Sequence, residues 1–164
     1  MDEEFTAFAR ARYTTLVRRA YLMTGDVAQA EDLVQHALVG LLLAWRRTRI
    51  EDPDHYMTRA LANARISNWR RHRGRELLTS VVPERPAPEV SPTVVERDEL
   101  MSALREVPPK QRTILVLRYY ENRSDEEIAH LLGVAESTVR SQAARGLQRL
   151  RRSPLAASTA EGIL

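Results

Sequence analysis

The chain has 164 residues with 25 basic and 22 acidic side chains, a length that allows one ordinary domain or two small ones. It contains no cysteine, which excludes disulfides, thiolate metal sites and cysteine nucleophiles. No apolar run approaches the ~20 residues of a membrane span, and the acidic start is not typical of a signal peptide, so we predict a soluble, cytoplasmic protein.

Composition and the distribution of charge favour helices and a polyanionic partner. Glycine is scarce, with 6 residues, whereas Ala, Leu, Arg and Glu are abundant, which favours an all-α fold. The net charge is only +3, but residues 1–75 carry +4, residues 76–98 carry −3 and residues 99–164 carry +2. Two basic segments thus flank an acidic connector, and separate basic surfaces suggest nucleic acid.

Apolar residues at helical spacing predict three helices in the first half of the chain. The first ends at Gly25, a suitable C-terminal cap, and Asp26 caps the second. The third begins near Asp52 and Pro53, with the proline in a favoured first-turn position, and ends before Gly74.

The second predicted helix is more apolar than one buried face requires. Every residue from Ala37 to Trp45 is apolar or glycine, so Val39 and Leu43 extend the hydrophobic surface beyond a single stripe. Burial of this helix at the centre of its domain is the favoured interpretation, and docking of one side on a partner protein is the alternative. The polar residues beside this surface are Asp32, Gln35 and His36.

The end of the third helix combines arginines with an aromatic side chain and an amide. Trp69 can stack on an unpaired base, Asn68 can bond a base edge, and the neighbouring arginines can follow phosphates. Arginines at a helix C-terminus also interact favourably with the helix macrodipole, so this segment alone leaves a purely structural role open. The arginines concerned are Arg65, Arg70, Arg71, Arg73 and Arg75.

Residues 76–92 are predicted to form a linker. Their prolines lack backbone donors and favour extended conformations, so the segment could reach roughly 50 Å. Helices resume at about Thr93, one running to Val107 and the next holding Pro109 in its first turn. Ser124 and Glu127 match a capping box for a short helix, and a last long helix runs over about 136–152. The tail, 153–164, is predicted to be disordered.

The stretch 125–147 has the spacing of a helix-turn-helix. Ala129 is small enough for two helices to approach closely, Gly133 can adopt the left-handed turn, and Val139 can fix the second helix in the core. A DNA-binding helix-turn-helix is the preferred interpretation over a plain helical hairpin. Arginine can bond guanine, glutamine can bond adenine, and hydroxyl groups can contact phosphates or bases. The candidate residues are Thr138, Arg140, Ser141, Gln142, Arg145 and Arg149.

Six short motifs, in order, support a family resemblance. The first half has residues 30–35 (AEDLVQ) opening the second helix, and Asn63 followed by Arg70 and Arg71 ending the third. The second half has 107–112 (VPPKQR), 117–120 (LRYY), 127–134 (EIAHLLGV) and 138–141 (TVRS). Together the two halves resemble the extracytoplasmic-function (ECF) group of bacterial sigma factors, with residues 25–26 and 68–71 most similar to an actinobacterial branch.

The resemblance implies two small helical domains: a region two-like domain at 1–75, the linker at 76–92, and a region four-like helix-turn-helix domain at 93–152. It also implies that the chain binds core RNA polymerase and directs it to promoters, and it leaves an anti-sigma partner open. The implied polymerase-binding residues are Asp32, Leu33, Gln35, His36 and Val39. The residues implied to melt and read the proximal promoter element are Asn63, Asn68, Trp69, Arg70, Arg71 and Arg73. The helix-turn-helix residues named above would read the distal element as duplex.

Four residues depart from the usual pattern of this group. Ser67 stands where many relatives are acidic, His36 where many have glutamate, Gln142 where many have arginine and Gly146 where many have alanine. Gly146 lies inside the last helix, where we expect it to cost about 1 kcal/mol relative to alanine.

Two other functional classes account for less of the sequence than the sigma-factor interpretation does. A two-domain helix-turn-helix regulator that acts without core polymerase explains the second half but not the arginine-rich end of the third helix. An enzyme is not expected, because the four histidines are scattered and no catalytic motif is present. Neither a cofactor nor a metal is expected.

Overall fold

In a computed structural model, which describes residues 2–72 and 94–153, the chain is built from α-helices, and the described residues form no strand. Of residues 68–72 and 94–98 only the backbone is described. The predicted all-α fold is confirmed. The chain divides into two compact units, Met1–Arg65 and Ile66–Leu164. The helices are α1 (Asp2–Thr24), α2 (Val27–Arg47), α3 (Pro53–His72), α4 (Val94–Arg105), α5 (Pro109–Leu115), α6 (Asp125–Leu132) and α7 (Glu136–Arg152), with a π-helical turn at Val116–Tyr120.

Local capping explains where the first three helices begin and end. Gly25 takes a left-handed φ of 73°, and its amide donates to the carbonyl of Tyr21 at 2.7 Å, which closes α1. The Asp26 side chain accepts from the amide of Gln29 at 2.9 Å and so caps α2. Pro53 is the first residue of α3. These three predicted boundaries are confirmed.

The first unit has an apolar core joined to a buried arginine. The core side chains come from α1 (Leu16, Ala20, Met23), α2 (Ala30, Leu33, Val34, Ala37, Leu38, Leu41) and α3 (Met57, Leu61, Ala62). Arg19 of α1 is buried and donates from Nη1 to Thr58 Oγ1 of α3 at 2.7 Å. Arg12 donates to Asp54 Oδ1 at 2.7 Å, so polar contacts tie α1 to the first turns of α3. A buried charge requires such partners, because leaving it unpaired costs several kcal/mol.

Helix α2 is not buried on all sides, which corrects the favoured interpretation from the sequence. Val39 is 58% exposed and Leu43 is 53% exposed, although both belong to the apolar run. Helix α1 packs on α2 and α3 lines a groove beside it, whereas the side that carries Val39 and Leu43 is exposed to solvent. The periodicity could not distinguish these arrangements, because an apolar residue has the same sequence signature whether its partner lies in the same chain or in another.

The second unit departs from the predicted helix boundaries at two places. Helix α4 ends at Arg105 rather than at Val107, because Pro108 lacks an amide hydrogen and disfavours helical backbone at the preceding residue. Helix α5 begins at Pro109, as predicted, but passes into the π-helical turn. There the amide of Glu121 donates to the carbonyl of Val116 at 3.1 Å, five residues back.

The predicted helix-turn-helix is present as α6, a turn at Gly133 and α7. Ser124 Oγ accepts from the amide of Glu127 at 3.1 Å, which confirms that half of the capping box. The carboxylate of Glu127 instead lies 3.9 Å from Nη1 of Arg123. Gly133 has a φ of 65°, and Ala129 and Val139 are buried as the spacing indicated. Ile128 and Leu131 are also buried, and Leu132 and Val134 are half-buried.

Gly146 has a packing role that helix propensity does not express. A Cβ added there would lie 2.9 Å from Cδ1 and 3.2 Å from Cγ of Leu115 in α5. The bare backbone therefore permits α7 to approach α5 closely. Alanine at this position would require the side chain of Leu115 to shift, and that cost opposes the gain in helix propensity. The predicted linker at 76–92 and the tail after Ser153 lie outside the described residues.

Candidate nucleic-acid and protein interfaces

Helix α7 separates a buried face from a polar, cationic one. Val139, Ala143, Gly146 and Leu150 are buried, and the opposite side is exposed. Among the residues predicted for duplex binding, Arg140, Ser141, Arg145 and Arg149 are exposed, and Thr138 and Gln142 are half-buried. Sequence reasoning missed the exposed Ser137, Ala144 and Gln148, although each lies three, four or seven residues from Ser141 and so shares its face.

Two contacts fix side chains at the start of this exposed face. Arg140 Nη1 lies 3.4 Å from Glu136 Oε2, one helical turn earlier. Ser141 Oγ donates to the carbonyl of Thr138 at 3.1 Å. The helix carries five arginines and one acidic residue, Glu136, so its solvent face is strongly cationic. A cationic face on an exposed helix is suited to the phosphates and base edges of a DNA major groove.

The outer side of α3 forms a second polar stripe. Asn63 is exposed, and Arg59 and Ser67 are exposed at four residues before and after it. Arg59 was missed by sequence reasoning, although the four-residue spacing from Asn63 identifies it. The backbone of α3 continues through the predicted residues Asn68, Trp69, Arg70 and Arg71, whose side chains lie outside the described residues, as does all of Arg73.

Arg65 does not belong to this stripe, which corrects its assignment to the basic end of α3. Its Nε donates to the backbone carbonyl of Met23, in the last turn of α1, at 3.1 Å. Burial lowers the pKa of Arg65 from its usual value, because desolvation disfavours the charged form. Arg65 therefore faces inward and stabilises the packing of α3 on α1 rather than following phosphates.

The exposed side of α2 brings together most residues predicted to bind a protein partner. Asp32, Gln35, His36 and Val39 are all exposed. Leu33 is the exception: it is 7% exposed and belongs to the core of its unit, so its role in partner binding stays a prediction. The exposed apolar area is instead extended by Leu43, one turn beyond Val39. We call Val39 and Leu43, with the polar residues at 32, 35 and 36, the α2 surface.

Several contacts and a groove surround the α2 surface. Gln35 Nε2 donates to the hydroxyl of Tyr13 in α1 at 3.4 Å, and His36 Nδ1 lies 2.8 Å from the carbonyl oxygen of Asp32. A shallow groove runs beside them, and its lining residues come from α2 and α3: Leu33, His36, Ala37, Gly40, Tyr56, Ala60 and Ala64. Polar side chains around a small apolar area are typical of a protein-binding surface.

Two further findings concern the described residues, 2–72 and 94–153, taken together. None of their helices is long and apolar enough to cross a membrane. They also contain no group of three or more His, Asp or Glu side chains with the arrangement of a metal site.

Comparison with known families and proteins gives consistent matches over both units. Sigma-70 region 2 matches residues 8–75, and sigma-70 region 4 matches residues 97–150. RNA polymerase sigma-E factor of Streptomyces coelicolor is 37% identical over 151 residues, which cover 90% of this chain and 84% of that protein. ECF RNA polymerase sigma factor SigL of Mycobacterium tuberculosis is 32% identical over 158 residues, 88% of each chain.

One solved structure has a similar fold along most of the chain. It is the sigma factor RpoE of Bartonella quintana, in complex with the anti-sigma factor NepR. The TM-score is 0.67, with 23% sequence identity, and the match covers 91% of this chain and 95% of that one. At this identity the similarity concerns the fold.

Proposed function

The chain belongs to the ECF group of the sigma-70 family, and we propose from this premise which of its surfaces make each contact of a sigma factor. It is an alternative sigma factor that directs promoter-specific transcription together with core RNA polymerase. We assign residues 1–75 to the region two-like domain, 76–92 to the linker, 93–152 to the region four-like domain and 153–164 to a tail.

We propose that the exposed face of α7 reads the distal promoter element as duplex DNA. Arg140 and Arg145 can each bond the two acceptors of guanine, and Ser141 can contact a phosphate or a base. Arg149 lies two turns beyond Ser141, where contact with phosphate is favoured over contact with bases. The exposure of these side chains, together with the buried stripe that anchors α7 in its unit, supports this assignment.

For the proximal element we propose the outer stripe of α3 and its C-terminal end. Asn63 and Ser67 are exposed on one side of the helix, and Asn68, Trp69, Arg70, Arg71 and Arg73 follow along the chain. An indole can capture an unstacked base while the arginines neutralise phosphates, which favours the melted strand over the duplex. Arg59 joins this proposed site because it shares the stripe.

The α2 surface is the proposed binding site for core polymerase. Complete burial of an aliphatic side chain contributes about 1.5–3 kcal/mol, so Val39 and Leu43 could supply a substantial part of the binding free energy. Asp32, Gln35 and His36 would add hydrogen bonds at its edge. Because the polymerase acts on chromosomal DNA, we expect the chain to work in the cytoplasm, with catalysis left to the polymerase.

An anti-sigma protein is a further proposed partner. The similar Bartonella quintana sigma factor was solved with such a protein. We infer that a partner of this class would cover the α2 surface, because covering it would both bury exposed apolar side chains and block polymerase binding.

One observation carries this proposal. Both sigma regions match this chain, and the chain has an exposed apolar surface and an exposed cationic surface on different helices. Run-off transcription with core polymerase and a library of genomic fragments tests it. We expect specific transcripts from a small set of fragments only when the chain and the core enzyme are both present. Tight sequence-specific binding by the isolated chain, without any transcript on addition of core enzyme, would instead favour a regulator that acts alone.

A further inference from the structure

Glu136 is the acidic exception on the cationic helix α7. It is the only acidic residue between positions 136 and 152, and it lies in the first turn, in the half of the helix that we propose enters the groove. Its Oε2 is 3.4 Å from Nη1 of Arg140, the first arginine of the helix. The Glu136 side chain is 49% exposed and that of Arg140 is 56% exposed, so DNA could reach both groups.

When DNA binds, its phosphates and bases must compete with Glu136 for the Arg140 guanidinium. In solvent, an exposed pair at this spacing favours the closed arrangement only about twofold. A lone phosphate must compete with a carboxylate of the same sign, whereas guanine offers two uncharged acceptors in the planar geometry that guanidinium matches. The pair therefore weakens phosphate binding by Arg140 more than it weakens guanine binding.

We propose that Glu136 is a specificity-determining residue that acts through Arg140. On sequences without a suitably placed guanine, the closed arrangement competes with phosphate for Arg140 and lowers its contribution to affinity. Where guanine is present, Arg140 leaves Glu136 and makes the bidentate contact. This proposal rests on the proposed reading of duplex DNA by α7, and it adds a residue that lowers non-specific affinity rather than raising specific affinity.

Binding of the full chain to a mixed-sequence 30-base-pair duplex gives the first test. We expect Glu136→Gln to tighten this binding about fivefold at low salt, and to steepen the dependence on salt concentration by about one counterion. Glu126→Gln is the matched control, because Glu126 is an exposed acidic residue on α6 and its replacement changes the net charge equally. We expect less than a twofold effect from the control. An equal effect of both variants would overturn the proposal, because the loss of one negative charge anywhere on the chain would then explain the tighter binding.

The double variant tests whether Glu136 acts through Arg140. In an Arg140→Ala background, Glu136→Gln should tighten binding no more than Glu126→Gln does. If the full fivefold tightening persists without Arg140, Glu136 repels DNA directly and the proposal is wrong. Circular dichroism of each variant verifies that the overall helix content is retained.

Selection from a randomised duplex library by the holoenzyme, meaning the chain with core polymerase, separates failure of this inference from failure of the proposed function. We expect Glu136→Gln to lower the enrichment of guanine at one position and to leave the other preferences unchanged. A change of preference to a different base there would make Glu136 a base-reading residue, against the proposal. If the Glu136→Gln holoenzyme enriched the same sequences as the wild type, this inference alone would be overturned. If the wild-type holoenzyme enriched no sequence, the proposed function of α7 would be overturned as well.

Discussion

Helices α2 and α7 pack in similar ways but expose different kinds of side chain to solvent. Each buries one stripe of side chains in its own unit. The free side of α2 carries Val39 and Leu43, which are more than half exposed, and the free side of α7 carries arginines. Burial of apolar area favours a protein partner, and release of counterions favours a nucleic acid. The uncovered side of a helix, rather than its buried side, therefore indicates what the helix binds.

The two helices also differ in how closely they approach their neighbours. A Cβ added at Gly40 of α2 would lie 3.3 Å from the hydroxyl oxygen of Tyr56, which is the end of a flexible side chain. A Cβ added at Gly146 of α7 would lie 2.9 Å from Cδ1 of Leu115. A methyl group added at Gly146 would therefore require the side chain of Leu115 to shift, whereas one added at Gly40 would require only a small movement of the Tyr56 hydroxyl.

Double substitution of the apolar pair should produce the largest effect. Val39→Asp with Leu43→Asp is expected to weaken binding to core polymerase by about 4 kcal/mol, roughly a thousandfold, because two aliphatic contacts are lost and two charges are desolvated. Titration of core polymerase with the labelled chain measures it. The matched control is Ala144→Asp on the exposed face of α7, which should weaken duplex binding and leave polymerase binding intact. If both variants impaired both activities equally, the two surfaces would not be specialised.

Substitution of the two helix glycines comes next. Gly146→Val should lower the free energy of unfolding by about 2–3 kcal/mol through overpacking against Leu115, as measured by urea denaturation. The alanine pair provides the comparison: Gly40→Ala should gain up to about 1 kcal/mol from helix propensity, and Gly146→Ala should gain nothing. An equal gain at both positions would show that Leu115 moves aside freely.

Arg145→Ala tests the cationic face at a residue without a described ion pair. If Arg145 reads a base, binding of the holoenzyme to its selected duplex should weaken by about 1–3 kcal/mol, with a relaxed preference at one position. Arg152→Ala, at the end of the same helix, should weaken binding to all DNA sequences equally. A uniform loss for Arg145→Ala would make it a phosphate contact.

Removal of a helix cap should have the smallest effect. Ser124→Ala should lower the free energy of unfolding by about 1 kcal/mol, because the amide of Glu127 loses its acceptor. Thr15→Ala, on the exposed side of α1, is the control and should cost no stability. Thermal unfolding of both variants compares them, and equal melting temperatures would mean that solvent replaces the Ser124 hydroxyl without loss.

Features decided by neighbouring residues could be predicted from the sequence. Gly25 and Asp26 end one helix and begin the next as expected, since a left-handed glycine and a capping carboxylate act within four residues of their own position. Gly133 and Val139 define the helix-turn-helix for the same reason. The outward direction of Arg140 and Ser141 follows from their spacing to the buried Val139.

Features decided by distant residues could not be predicted. The packing role of Gly146 depends on Leu115, thirty-one positions away, and no local pattern records that approach. Exposure of Val39 depends on how many helices surround α2. Arg65 belongs to a run of arginines in the sequence, but the carbonyl of Met23 in another helix determines its direction. In each case tertiary packing decides between options that local chemistry leaves equal.

The π-helical turn at Val116–Tyr120 has a consequence for changes in chain length. Such a turn holds one residue more than the α-helical turn that could span the same distance. Deleting one residue within it should restore plain α-helix and preserve the orientation of the following segment. Deleting one residue earlier in α5 would instead rotate everything after it by about 100°. Between Pro109 and Tyr120, this turn is therefore where the loss of one residue should disturb the following helix-turn-helix least.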